Sequence, residues 1–181
     1  LQWDVATERI QTKNFPDLPV AITNAAAAII DSIVYLAGGE TISGTSSHFY
    51  SLHLDDLSKG WERLPEIPHP VSHAALTAHR VENNSAIYLF GGRNKKPDGI
   101  SELYSDTYSF DCNNNSWIIK KPIPYPLSAG TFITYDSDCV LLFGGEKGET
   151  FHQVEKLIAA INAEKNELSK QSLIQQKNSL L

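Results

Sequence analysis

Glu40, Arg93 and Glu146 each follow a Gly-Gly pair: Gly38-Gly39, Gly91-Gly92 and Gly144-Gly145. The first glycines of successive pairs stand 53 residues apart both times. Some way before each pair lies a short polar lead-in: Thr23-Asn24, Ser72-His73 and Ser128-Ala129. If the three copies superpose, Thr23, Ser72 and Ser128 come together, and Asn24 lies beside His73. Two carboxylates, a guanidinium, hydroxyls, an amide and an imidazole around one opening suit a polyhydroxylated ligand. Arg93 can clamp a carboxylate through two parallel hydrogen bonds. A structural use stays open beside this one, because Glu40, Arg93 and Glu146 would also make a chain of ion pairs between neighbouring copies. A lone His such as His73 likewise has several uses unconnected with function.

The elements that must position these residues repeat as well. Each Gly-Gly closes a short apolar run: Ile33-Val34-Tyr35-Leu36-Ala37, Ala86-Ile87-Tyr88-Leu89-Phe90 and Cys139-Val140-Leu141-Leu142-Phe143. A Tyr in an alternating segment follows (Tyr50, Tyr108), and then a Trp (Trp61, Trp117). A repeat of about 50 residues signals a solenoid, propeller or array. The order apolar run, Gly-Gly, Tyr, Trp resembles the Kelch motif, one four-stranded blade per copy. The fold class expected is therefore all-β, a Kelch-type β-propeller.

The expected first blade has strands at 25–30, 32–37, 48–54 and 60–64, and the second at 74–80, 85–90, 104–110 and 116–119. A third blade starts at Gly130 and reaches Gly144-Gly145. From Phe151 the spacing of Val154, Leu157, Ile158, Ile161 and Leu168 turns helical, with Glu164, Lys165 and Glu167 on the wet face. Gly and Pro are absent after Gly148. Residues 1–150 thus read as a partial propeller and 151–181 as a helical insertion within it. Leu1-Gln2-Trp3-Asp4-Val5 reads as the Trp-bearing outermost strand of a closing blade. Two and a half to three blades cannot close, since propellers have four to eight. The rest of the ring is expected from residues beyond these 181 or from another chain.

The bulk numbers narrow the field. Of 181 residues, 41% are apolar and 20% charged, which is compatible with a folded core. Net charge is -6, and no basic stripe appears, so nucleic acid is not an expected partner. No run reaches the roughly 18 apolar residues of a membrane-spanning helix, and no membrane partner is expected. His48, His53, His69, His79 and His152 occupy non-equivalent positions, so no metal site is expected. Cys112 and Cys139 have no zinc spacing and can be free or paired. Asn83-Asn84-Ser85 and Asn114-Asn115-Ser116 match the glycosylation acceptor pattern, but turn chemistry accounts for their Asn residues. GxSxG, Walker and dinucleotide loops are absent, and no cofactor is expected.

Several stretches carry a closer likeness. They are Phe15-Pro16-Asp17-Leu18-Pro19, the run Tyr88-Leu89-Phe90-Gly91-Gly92 with its long loop to Tyr104-Ser105-Asp106-Thr107-Tyr108, Asn115-Ser116-Trp117, and the helical insertion after the third Gly-Gly. Together they resemble the bacterial sialate mutarotase family, also called N-acetylneuraminate epimerases, which are six-bladed Kelch propellers. The resemblance implies an isomerase that interconverts the α and β anomers of a sugar acid, sialic acid, by acid–base ring opening and closure. It implies substrate-binding roles for Arg93, Glu40, Glu146, His73, Asn24, Ser72 and Ser128. The family's catalytic Glu is followed six residues later by an Arg. Here the nearest match is Glu146 followed by His152, so the main carboxylate is expected outside this chain. Free sialic acid is met outside the cytoplasm, which implies a periplasmic or secreted protein. The competing reading is a non-catalytic Kelch module that grips a protein or carbohydrate at the same mouth.

Overall fold

The structure, a computed structural model, describes residues 2–11, 14–81, 84–135, 139–164 and 167–180. Two short strands come first, β1 (Gln2–Asp4) and β2 (Arg9–Gln11). The first complete blade is an antiparallel sheet of β3 (Ala26–Ile30), β4 (Ile33–Ala37), β7 (Phe49–His53) and β8 (Trp61–Arg63). Between its second and third strands runs a small ribbon, β5 (Glu40–Thr41) with β6 (Gly44–Thr45). The second blade repeats the plan with β9 (Ala75–Val81), β10 (Asn84–Phe90), β13 (Thr107–Asp111) and β14 (Ser116–Lys120). Its ribbon is β11 (Arg93–Lys95) with β12 (Ser101–Leu103). The third blade has its inner pair, β15 (Thr131–Tyr135) and β16 (Cys139–Phe143), and then gives way to two helices, α1 (Glu149–Ala163) and α2 (Glu167–Asn178).

The blades fan about a hub. The innermost strands lie side by side, β3 against β9 and β9 against β15, and Thr77 Oγ1 and Thr134 Oγ1 share a hydrogen bond at 2.8 Å. These four-stranded antiparallel units set radially are the expected Kelch-type propeller architecture. The seam between the two complete blades is aromatic. Phe49 is fully buried, with ring centroids 4.8 Å from Phe110 and 4.9 Å from Trp117. Each blade Trp also grips the turn before it: Trp61 Nε1 donates to Pro16 O and Trp117 Nε1 to Pro65 O, both at 3.0 Å.

Three sequence expectations need correction. First, Trp3 does not lie on an outermost strand. The pairs Trp3↔Ile10 and Asp4↔Arg9 copy Phe110↔Trp117 and Asp111↔Ser116. Asp4 Oδ1 accepts from the N–H groups of Ala6 and Thr7, as Asp111 Oδ1 does from Asn113 and Asn114. Glu8 and Asn115 both take positive φ, 50° and 53°. The β1–β2 hairpin therefore occupies third- and fourth-strand positions, and Ile10 stands where Trp117 does. Leu1 lies outside the described residues.

Second, the third strand of the second blade starts at Thr107 rather than 104, because Ser101–Leu103 is taken up by the β11–β12 ribbon. Third, the helical segment begins at Glu149, two residues early, with Gly148 as its N-cap. Lys165 and Asn83, used above for the wet face and the acceptor pattern, also lie outside the described residues. Both cysteines are free.

Candidate functional site

The Gly-Gly pairs are where one blade meets the next. Gly39 N–H donates to Val71 O at 2.8 Å and Gly92 N–H to Leu127 O at 2.7 Å. A Cβ on Gly38 would stand 2.1 Å from Val71 O, and one on Gly91 2.3 Å from Leu127 O. Both glycines have positive φ, so neither position accepts a side chain without displacing backbone. The residue after each pair is held by a reciprocal backbone bridge to its own lead-in: Glu40 to Thr23, Arg93 to Ser72 and Glu146 to Ser128. A second line of bonds crosses the blades near the hub, from His73 N–H to Asn24 O at 3.0 Å and from Ala129 N–H to His73 O at 2.9 Å. Asn24, His73 and Ala129 all sit in left-handed backbone, φ 55°, 55° and 57°. The equivalence read from spacing is thus built in hydrogen bonds.

The side chains then diverge. At the seam of the first two blades, Ser72 Oγ donates to Glu40 Oε1 at 3.0 Å, and Asn24 Nδ2 donates to Glu40 Oε2 at 3.3 Å. His73 Nδ1 lies 3.1 Å from Ser72 Oγ and 3.6 Å from Glu40 Oε1. Arg93 Nη2 lies 3.5 Å from His73 Nε2 and 3.8 Å from Glu40 Oε1. One proton arrangement satisfies the group: Nδ1–H of a neutral His73 donates to Ser72, Ser72 donates to Glu40, and the Nε2 lone pair faces Arg93. Burial, and then the Arg93 charge, hold the His73 imidazole below its ordinary titration range, while Glu40 pulls the other way. Five of the seven candidate residues therefore form one cluster.

The remaining two do not join it. Ser128 bridges Glu146 through backbone, and Glu146 Oε1 accepts from Gly148 N–H at 2.7 Å, just before α1. Of the expected chain of ion pairs, the Glu40–Arg93 half is present, and Glu146 is turned to the helix start instead. His152, six residues after Glu146, binds Ser101 O through Nε2. Glu155 accepts from Ser101 N–H at 2.8 Å and from Ser101 Oγ at 2.7 Å. These contacts fasten α1 onto β12.

Fastening α1 there makes a cleft of about 640 Å³ between the helix and the β11–β12 ribbon, lined by Arg93, Lys95, Asp98, Val154, Ile158 and Asn162 among others. A second, of about 560 Å³, lies between the two ribbons and is lined by Glu40, Thr41, Asn94 and Lys95. Sequence reading missed Lys95 and the α1 wall. Lys95 is two residues after Arg93 on one strand, so period-two alternation carried the signal for it. For Val154 and Ile158 the helical spacing marked a buried face without saying what that face covers. Among the described residues no cluster of His, Cys, Asp or Glu could hold a metal ion.

Residues 15–178 match the family model described as N-acetylneuraminate epimerase. The chain belongs to this family. It is 31% identical over 157 residues to an N-acetylneuraminate epimerase of Brucella suis, covering 85% of this chain and 39% of that protein. It is 28% identical over 156 residues to the one from Pasteurella multocida, covering 86% and 39%. Beta-scruin of Limulus polyphemus is 29% identical over 140 residues, 75% of this chain and 14% of that protein. The solved structure of YjhT superposes with a TM-score of 0.69 at 21% identity, over 90% of this chain and 45% of that one, a likeness of fold. The chain thus spans about two fifths of the length of the epimerase relatives it matches.

Proposed function

We propose that this chain supplies part of the sugar-binding mouth of an isomerase that interconverts the α and β anomers of N-acetylneuraminate. The observation that carries the reading is the Glu40–Ser72–His73–Arg93 cluster, drawn from two blades and opening on clefts at the mouth. The family membership supplies the substrate class. Arg93 takes the substrate carboxylate in a bidentate pair, which fixes the pyranose relative to the hub. Glu40, kept ionised beside Arg93 and pre-oriented by Ser72 and Asn24, accepts from sugar hydroxyls. Neutral His73 sets the Ser72 hydroxyl and so fixes which Glu40 oxygen stays available.

Anomer exchange needs a base to take the anomeric O–H proton and an acid to protonate the ring oxygen. The C–O ring bond then breaks to the open ketone, which closes on its other face. The carboxylate for this acid–base work is not assigned to the present residues. Their part is to bind and orient. A sugar acid met in free form outside the cytoplasm is in keeping with a periplasmic or secreted protein.

One-dimensional proton NMR on freshly dissolved α-N-acetylneuraminate tests the reading. Anomer exchange should run faster with the protein than in buffer at the same pH. Binding without acceleration would leave a Kelch module that only recognises the sugar, and the absence of both would overturn the sugar reading.

A further inference from the structure

The chain carries two half-blades that complement each other. The β1–β2 hairpin has the register and turn of a third and fourth strand, yet β1 pairs only with β2. The β15–β16 hairpin is a first and second strand, and β16 pairs only with β15. In both complete blades the second strand pairs with the third, as in Ile87↔Phe110 and Ala86↔Asp111. Both halves leave apolar surface bare. Trp3 is 57% exposed where its equivalent Phe110 is 1% exposed, and Phe143, Ile133 and Tyr135 are exposed on the other half.

We propose that two copies of this chain close one ring, the β1–β2 hairpin of each completing the blade begun by β15–β16 of the other. Counting decides the occupant. Two complete blades and two complementary halves amount to three blades per chain. A single chain closing on itself would make a three-bladed ring and three chains a nine-bladed one, both outside the four to eight that propellers adopt. Two chains give six, related by a two-fold axis along the hub.

The hydrogen bonds that cross from blade to blade stop at the same two faces. Gly39 and Gly92 each donate to the next blade's lead-in. By the repeat, Gly145 N–H should meet Ile22 O, and among the described residues neither makes such a bond within the chain. Gly144, the equivalent of Gly38 and Gly91, has nothing within 4 Å of its Cβ position, where those two face a neighbouring carbonyl. A second copy's Ile22 fills that place. The same repeat sets Trp3 opposite Val140 and Asp4 opposite Cys139 of the partner copy. Edge strands are thereby paired rather than left open.

The pairing rests on blade geometry alone, and its test makes no use of activity. Light scattering after gel filtration should give twice the 20.0 kDa of one chain, and Trp3→Glu should return the mass to one chain with near-ultraviolet dichroism kept. Opposed residues on antiparallel strands lie about 4.5–5.5 Å apart at Cα, within disulfide reach. Oxidised Asp4→Cys should therefore run as a covalent dimer on non-reducing gels, and Asp4→Cys with Cys139→Ser should not. A monomer for the native chain, or growth into larger open species, would overturn the proposal, as it would if these faces belong to a longer polypeptide. So would a dimer that Trp3→Glu leaves intact, or one whose Asp4→Cys form crosslinks without Cys139.

Discussion

Two corners of the mouth share one backbone and differ in chemistry. At the first, Glu40, Ser72, His73 and Arg93 converge. At the second, Arg93, Ser128, Ala129 and Glu146 hold the same bridge and crossing positions, with Ala129 left-handed where His73 is. Left-handed backbone costs an Ala about 1–2 kcal/mol, so the lattice imposes the conformation on whatever residue stands there. Site chemistry is then a matter of substitution: imidazole or methyl, carboxylate turned to the neighbour or to a helix start. The lattice sets the places, and the side chains decide which corner can hold a ligand.

The comparison breaks first if the seam fails. Phe49→Ala empties the centre of the aromatic cluster that joins the first two blades and should cost about 3–5 kcal/mol in urea denaturation. Ile133→Ala, at an exposed position on the third blade, should cost far less. Equal costs would mean that the two seams are not energetically distinct.

Ligand binding separates the corners next. Arg93→Ala removes a charge-assisted clamp of about 1.5–3 kcal/mol, so the affinity for N-acetylneuraminate should fall roughly 10- to 150-fold by calorimetry. Arg93→Lys should recover only part, since an ammonium lacks the planar fork. Unchanged affinity in Arg93→Ala would make the cation structural. Glu146→Ala should behave in the opposite way, losing about 1 kcal/mol of stability with its Gly148 bond while affinity holds. A larger loss of affinity in Glu146→Ala than in Glu40→Ala would reverse the assignment of the two corners.

Much of this was legible beforehand because a repeat reports on itself. The Gly-Gly spacing gave the equivalence of Glu40, Arg93 and Glu146, and the Tyr and Trp positions gave the blades. What stayed hidden was local and non-periodic. The β5–β6 and β11–β12 ribbons are two or three residues long, too short for alternation to mark. Trp3 misled because Trp61 and Trp117 occupy fourth strands, and only the Asp4 turn and the Ile10 register place it on a third. Glu146 misled for a different reason: equivalent backbone does not fix a rotamer, and the helix start two residues on offers a nearer donor than the hub.

The finest distinction between the corners is titration, since Ala129 has nothing to protonate. Burial and the Arg93 charge hold His73 below its ordinary 6.5 in the folded protein. As pH falls through 6.5, the unfolded chain therefore takes up its proton first. Stability from this group is complete above 6.5, declines as pH drops toward the folded value, and declines no further below it. In an NMR titration of the His73 ring, Arg93→Ala should move the midpoint up toward 6.5. Glu40→Gln, which removes the opposing attraction, should move it further down. The two shifts have opposite signs because the two groups face the imidazole from opposite sides, Arg93 at Nε2 and Glu40 at Nδ1. A native midpoint at or above 6.5 would mean that the imidazole is charged at rest, and the proton chain from Nδ1 through Ser72 to Glu40 would have to be redrawn.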